Sequence, residues 1–448
     1  MQEIIQAIRA EIGPRKLQYH IETYGCQMNE RDSEVFSALL SEMGYTPATD
    51  KMTADLLLYN TCCVREHAEK RVFGNIGMLA ARKAEKPGLI VGVCGCMMQQ
   101  AAVAKKLYRR FPFVDLIFGT SRAKELPRML SEVLNGSRVL NVKEPTEEIA
   151  EGLPSKRKDS HAAFVNIMYG CDNFCAYCIV PYVRGRERSR TASDICAEIA
   201  QLAQNGTTEI TLLGQNVNSY ANGFPELLRQ VNDIPGLRRI RFMSSHPKDF
   251  SDELINAMAA LPKVCPHVHL PLQSGSDAVL FAMNRKYSAA QYKEIIRKLR
   301  ESVPGIAITT DIIIGFPGET DADFADTLAL VEELRFDAAF TFAYSLRSGT
   351  KAATMENQVP EHIKKERLYK LIETVNRISA ELGQKYIGLE GEVLVEGRDD
   401  RNPETVFGKL GNARMVYFPD KDAKQGDYIG VRVTGARSNS LAGERVYG

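Results

Sequence analysis

At 448 residues the chain is too long for one ordinary core, and its 44% apolar content is that of a globular protein, so two or three domains are expected. Fifty-seven Lys and Arg against 56 Asp and Glu leave a net charge of +1, which predicts neither a nucleic-acid nor a membrane partner and leaves recognition to local patches. No apolar stretch has the length of a signal or spanning helix, so the expectation is a soluble, cytoplasmic protein without a membrane partner; ten cysteines at close spacing then read as metal or catalytic residues rather than disulfides.

In chain order, the first region runs from about residue 15 to 136. "KLQYHIETYGCQMN" predicts a strand entering a loop at Gly25 and Cys26, and "RDSEVFSALLSEMG" a helix ending on Gly44. "ADLLLYNTCCVRE" and "GLIVGVCGCMMQQ" are further strands that run into cysteines. Strand, loop and helix, repeated, predict a parallel sheet with helices on its faces. The carboxyl ends of such strands share one edge, so Cys26, Cys62 or Cys63, and Cys94 or Cys96 are expected to converge there. The polar stretch that follows, within residues 137–161, reads as a linker.

The second region, 162–383, alternates strand and helix signals. Its strands are "AAFVNIMYGC", "TEITLLGQNV", "RRIRFMSSHP", "HVHLPLQSG", "IAITTDIIIGFPGE" and "AAFTFAYSLRSGT", which predict an open or partial (β/α) barrel rather than a flat sheet. "GFPGET" has the look of a phosphate-cradling turn, but Thr320 with Asp323 is more simply a helix cap. The third region, 384–448, changes to short strands with glycine turns and predicts a small β-barrel. Arg398, Arg401, Lys409, Arg414, Arg432 and Arg437, interleaved with Phe407, Tyr417 and Phe418, fit either an RNA-binding module or a solvated surface over an aromatic core.

"YGCDNFCAYCIVPYVRGRERSR" places Cys171, Cys175 and Cys178 within eight residues, after the first strand of the barrel-like region. A structural zinc site wants four ligands, usually as two knuckles, and the second knuckle is missing. Three thiolates can instead hold a [4Fe–4S] cluster with one iron left open. Free cysteines such as Cys196 and Cys265 are more simply buried small hydrophobes.

This loop, on a partial barrel, resembles that of the radical S-adenosylmethionine (SAM) enzymes, whose open iron chelates the cofactor before its cleavage to a 5′-deoxyadenosyl radical. "TYGCQMN", "NTCCVRE" and "VCGCMMQ" resemble the amino-terminal motifs of the methylthiotransferases, and the last region resembles their RNA-holding TRAM domain. The resemblance covers nearly the whole chain. It implies an α/β architecture of an amino-terminal parallel-sheet domain, a radical-SAM partial (β/α)6 barrel and a TRAM β-barrel. It also implies two [4Fe–4S] clusters, one on Cys171, Cys175 and Cys178, the other on Cys26, Cys62 and Cys96, with Cys63 and Cys94 left over. S-adenosylmethionine would serve twice, as methyl donor and as radical source. An electron donor such as flavodoxin or ferredoxin is implied, and the expected oligomeric state is a monomer.

"IVPYVRGRERSR" and "RFMSSHPKDF" resemble the branch acting on carbon 2 of isopentenylated adenosine beside the tRNA anticodon. Sister branches modify threonylcarbamoyl-adenosine or a ribosomal-protein aspartate. Arg184, Arg186 and Arg188, with Arg190, are candidates for phosphate contact in the anticodon stem-loop, internal pairing being the alternative. The resemblance sets Tyr177 against the cofactor adenine, and Gln215 and Gln273, at strand ends, are placed to hydrogen-bond the cofactor. Asn216, Ser244 and His246 are weaker candidates of that kind. Leu346 and Ser348 depart from the proline-rich wording expected there. A non-enzymatic iron–sulfur RNA-binding protein is the competing class; two open three-cysteine sites argue against it.

Overall fold

In a computed structural model the described residues are 1–63, 66–120, 122–143, 161–437 and 440–446, so most of the expected linker lies outside them. The chain forms two compact units. The first comprises Met1–Lys158, Met168–Asp172 and Ile179–Asp194; the second comprises Asp159–Ile167, Asn173–Cys178 and Ile195–Gly448.

The first unit is built on six strands: β1 (Gln18–Thr23), β2 (Thr46–Pro47), β3 (Leu56–Thr61), β4 (Ile90–Gly95), β5 (Leu116–Phe118) and β6 (Val139–Asn141). They pair in the order β2-β1-β3-β4-β5-β6, every pair parallel. β3 and β4 are buried throughout, as continuous apolar runs in a sheet covered on both faces should be. One face packs on the helices Gln2–Ile12, Gln27–Glu42 and Leu126–Leu134 through Ile8, Leu39, Leu40, Met129 and Leu130. Val72, Ile76, Ala104 and Leu107 cover the other. The sheet is wider than the sequence signals suggest, because β5 and β6 have three residues each, too few to show a period.

Next come β7 (Ala162–Asn166), which belongs to the second unit, and the antiparallel pair β8 (Met168–Tyr169) and β9 (Arg188–Ser189) of the first. The second unit continues with β10 (Glu209–Leu213), β11 (Arg239–Phe242), β12 (His267–His269), β13 (Ala307–Ile314) and β14 (Ala338–Ala343). These are the six expected strands. They form two parallel three-stranded sheets, β11-β10-β7 and β12-β13-β14, with an Ile240–Val264 bridge leading from β11 toward β12. Among the described residues the barrel is therefore open, with β7 and β14 at its edges. Thr320 caps the helix Asp321–Leu334 reciprocally with Asp323, as the simpler reading of "GFPGET" expected.

The last strands, β15 (Glu390–Asp399), β16 (Asn402–Lys409), β17 (Met415–Pro419), β18 (Tyr428–Ala436) and β19 (Leu441–Arg445), close a barrel in the order β15-β16-β17-β19-β18. Val393, Val406, Val416, Phe418, Val431 and Leu441 fill it. Two buried arginines of β11 fasten it within the second unit. Arg239 donates to the carbonyls of Lys409 and Glu392, and Arg241 to those of Leu410 and Gly411.

Candidate functional site

The loops after β1, β3 and β4 gather cysteines at one sheet edge. Cys26 and Cys96 place their sulfurs 3.9 and 3.8 Å from the same atom, Asn29 Oδ1. Asn29 is fully buried and its Nδ2 binds the carbonyls of Tyr24 and Thr61, which ties the first loop to the second. Two glycines permit this approach. A Cβ on Gly25, at φ +121°, would stand 2.5 Å from Cys62 Cβ; one on Gly95, at φ +94°, would stand 2.4 Å from the Thr61 carbonyl.

Arg184 completes this cluster from 88 residues away. The residue is only 6% exposed, and its Nε donates to Cys96 Sγ at 3.2 Å. Its Nη2 binds Asn29 Oδ1 and Asp32 Oδ2, each at 3.0 Å. Burial alone would weaken the guanidinium's charge, but Cys96 and Asp32 hold its pKa well above the usual arginine value. A hydrogen bond from Cys63, with Arg184 beside it, overcomes burial and lowers Cys96 to about 6. Cys94 lies in the apolar core beneath the helix Gln27–Glu42, where burial pushes its thiol up.

Arg184, expected as a phosphate contact, has its guanidinium buried, with Nε and Nη2 bonded to Cys96, Asn29 and Asp32. Arg190 is likewise turned inward, onto Asp194. Arg188 reaches the Arg184 carbonyl, while Arg186 is exposed and pairs with Asp172 at 2.6 Å. Cys171 is half-buried in this unit, its N–H bound to the Gly185 carbonyl.

In the second unit, Asn173–Cys178 is held by a segment that sequence inspection did not single out, Met283-Asn284-Arg285. Asn284 Nδ2 donates to the carbonyls of Asn173 and Phe174, and the Met283 carbonyl accepts from Ala176 N. Arg285, 8% exposed, points Nη1 at Cys175 Sγ (3.4 Å) and Tyr177 Oη (3.5 Å), with Nε on Tyr287 Oη. Tyr177 packs beside Phe316, Tyr344 and Ile313, and burial pushes its phenol up. The only sequence trace of this cradle is the run of three polar residues, Asn284, Arg285 and Lys286, between Met283 and Tyr287.

Backbone strain clusters at the carboxyl ends of these strands. Phe174, Ser244 and Gln273 have φ of +46°, +66° and +70°, a region that non-glycine residues rarely adopt. Gln273 is 6% exposed, follows β12, and its Oε1 has no hydrogen-bond partner among the described residues. Such a buried acceptor suits a bound donor. Gln215 is half-buried, two residues past the end of β10. Asn216 is tied to Asp249, and His246 caps a short turn at Lys248 N.

A cleft of about 670 Å³ lies at the starts of β12–β14, lined by Arg300, Arg335, Asp337, Tyr386 and Glu390; it includes none of the cysteines. Among the described residues no three His, Cys, Asp or Glu side chains have metal-site spacing. The donor set still fits an iron–sulfur group: thiols, a buried cation on one sulfur in each unit, and an aromatic lid at Tyr177. On the β-barrel, Phe418 is core, Phe407 and Tyr417 pack together at 5.6 Å, and Arg398, Arg414 and Arg432 are spent on carbonyls and carboxylates. Arg401 and Arg437 are exposed.

Three family models match: the radical SAM superfamily over residues 165–331, the uncharacterized protein family UPF0004 over 18–119, and the TRAM domain over 384–446. A tRNA-2-methylthio-N(6)-dimethylallyladenosine synthase of Alkaliphilus oremlandii is 50% identical, covering 99% of this chain and 95% of the relative. Its namesake in Desulforamulus reducens is 52% identical over 96% of this chain and 95% of its own. Among solved structures, the radical S-adenosylmethionine methyltransferase TsrM of Kitasatospora setae has a TM-score of 0.57 at 15% identity, covering 75% of this chain and 77% of that one. OxsB, a cobalamin-dependent S-adenosylmethionine radical enzyme, has 0.54 at 14% identity, over 81% and 56%. These two share the fold.

Proposed function

The chain belongs to the tRNA-2-methylthio-N(6)-dimethylallyladenosine synthase family, and we propose that it attaches a methylthio group to carbon 2 of N6-isopentenyladenosine in tRNA. The observation that carries this reading is the pairing, in a chain similar end to end to that family, of two cysteine motifs with two buried arginines. Arg184 is aimed at Cys96 and Arg285 at Cys175.

Cys171, Cys175 and Cys178 would hold one [4Fe–4S] cluster, and Cys26, Cys62 and Cys96 a second. Bound there, the first supplies reductive cleavage of S-adenosylmethionine to a 5′-deoxyadenosyl radical, and the second an iron site for the transferred sulfur. The protein's own contribution is positioning and charge. Arg184 and Arg285 each donate to a cysteine sulfur, and would offset the negative charge of a cluster held there. Asn284 fixes the loop backbone, so the two cysteines it carries keep their spacing. Tyr177 and the Gln273 amide oxygen offer an aromatic face and an acceptor to the cofactor, with Gln215 at the neighbouring strand end. Arg186 and Arg188 remain the candidates for tRNA phosphate, and the TRAM barrel for the anticodon stem-loop.

Among the described residues no helix is long and apolar enough to cross a membrane. A cytoplasmic monomer that takes electrons from flavodoxin or ferredoxin completes the proposal. The test is mass spectrometry of nucleosides from isopentenylated tRNA incubated anaerobically with reconstituted protein, S-adenosylmethionine, sulfide and reductant. A methylthio-isopentenyladenosine product is expected. Release of 5′-deoxyadenosine without that product would overturn the substrate and leave the radical chemistry.

A further inference from the structure

The less buried face of β12–β14 carries side chains that the chemistry above does not use. Register sets His269 beside Thr309, Asp311 beside Phe340 and Ile313 beside Phe342, while the alternate residues Ile308, Thr310 and Ile312 are buried. His269 Nδ1 lies 3.0 Å from Thr309 Oγ1 and its Nε2 3.4 Å from the Asp311 carboxylate, and its ring meets Phe340 edge-on at 5.9 Å. Ile313 packs in the cluster that contains Tyr177, so this face runs up to the cysteine loop.

Phe340 is 58% exposed and Phe342 47%, both on β14; Leu346, in the loop beyond, is 56% exposed. Two exposed phenyl rings at i and i+2 share one face of the sheet, an apolar patch that marks a binding surface. We propose that Phe340 and Phe342 form the wall on which the adenine ring and its isopentenyl chain lie, and so make the protein select prenylated over plain adenosine. Leu346 extends the wall. This rests on prenylated tRNA being the substrate. The occupant's chemistry matches: a flat, uncharged ring that stacks on aromatics when splayed out of RNA, bearing a branched apolar chain that no charged wall would accept. Asp311, at the rim beside Phe340, offers an acceptor for the one exocyclic N–H a prenylated adenine keeps.

The experiment is equilibrium binding of two synthetic anticodon stem-loops, one with isopentenyladenosine and one with adenosine, to the full-length protein. Wild type, F340A/F342A and F340Y/F342Y are compared, with thermal midpoints to confirm folding. The wild type should prefer the prenylated RNA, the alanine variant should lose about tenfold of that ratio, and the tyrosine variant should keep it. An unchanged ratio in the alanine variant overturns the wall while the substrate stands. A wild type without preference overturns the substrate assignment and the wall with it. Should the alanine pair fail to fold, F342A alone carries the same comparison, and an unchanged ratio there overturns the proposal.

Discussion

Arg184 Nε donates to Cys96 Sγ at 3.2 Å inside a pocket where the arginine is 6% exposed. A guanidinium so buried is tolerated only because sulfur, amide and carboxylate partners meet it, and removing one member strands the others. R184M should therefore destabilise the protein by about 3 kcal/mol or more. It should also lower iron in reconstituted protein from about eight to about four atoms per chain. Urea unfolding and iron assay check both, and full iron with unchanged stability would remove Arg184 from the site.

Cys62 and Cys63 are neighbours in sequence, yet only Cys62 stands against Gly25, while Cys63 hydrogen-bonds Cys96. C62S should lose the same half of the iron that C26S loses, and C63S should keep it. Iron retained in C62S but lost in C63S would exchange their roles.

Asn284 holds two carbonyls of the cysteine loop by one amide group. N284A should lower 5′-deoxyadenosine formation by about tenfold to a hundredfold, the usual effect of losing an outer support of a metal site. N284D, which keeps the shape but loses the donor, should behave the same way. Normal cofactor cleavage in both would show that the two backbone bonds of Ala176, to the Met283 carbonyl and from Ala352 N–H, suffice to hold the loop.

His246 is buried, and burial, with Arg285 and Lys248 nearby, lowers its pKa from 6.5 to about 2. The folded protein thus keeps this ring neutral while the unfolded chain takes up a proton below about pH 6.5. Stability from His246 is complete above that pH and falls by up to about 1.4 kcal/mol per unit as pH drops toward the folded value. H246N, whose side-chain oxygen can still accept from Lys248 N, should flatten the dependence of the urea midpoint between pH 6.5 and 4.5. An equally steep slope would place the titration elsewhere.

Arg239 and Arg241 satisfy four carbonyls of the β-barrel and share Glu209, 3.8 and 3.1 Å away. R239A/R241A should loosen the barrel's attachment, giving a separate early thermal transition and weaker tRNA binding. A single unchanged transition would show that the barrel is held without them, for example by Tyr428, whose hydroxyl bonds Thr208 Oγ1 at 3.1 Å.

Cysteine spacing, the six barrel strands and the change to short strands near residue 390 were all legible in the sequence, because each is a local pattern. A run of three cysteines, an apolar strand and a glycine turn are specified by adjacent residues. The three-residue strands β5 and β6 were too short to carry such a pattern. What the arginines do was decided only by the tertiary structure. In sequence Arg184 belongs to a basic run that suggests phosphate, and Arg285 follows a helix without distinction. Their partners, Cys96 and Cys175, lie 88 and 110 residues away. Whether a charge faces solvent or sulfur depends on which distant segments close over it, and desolvation then fixes its role; no local periodicity encodes either.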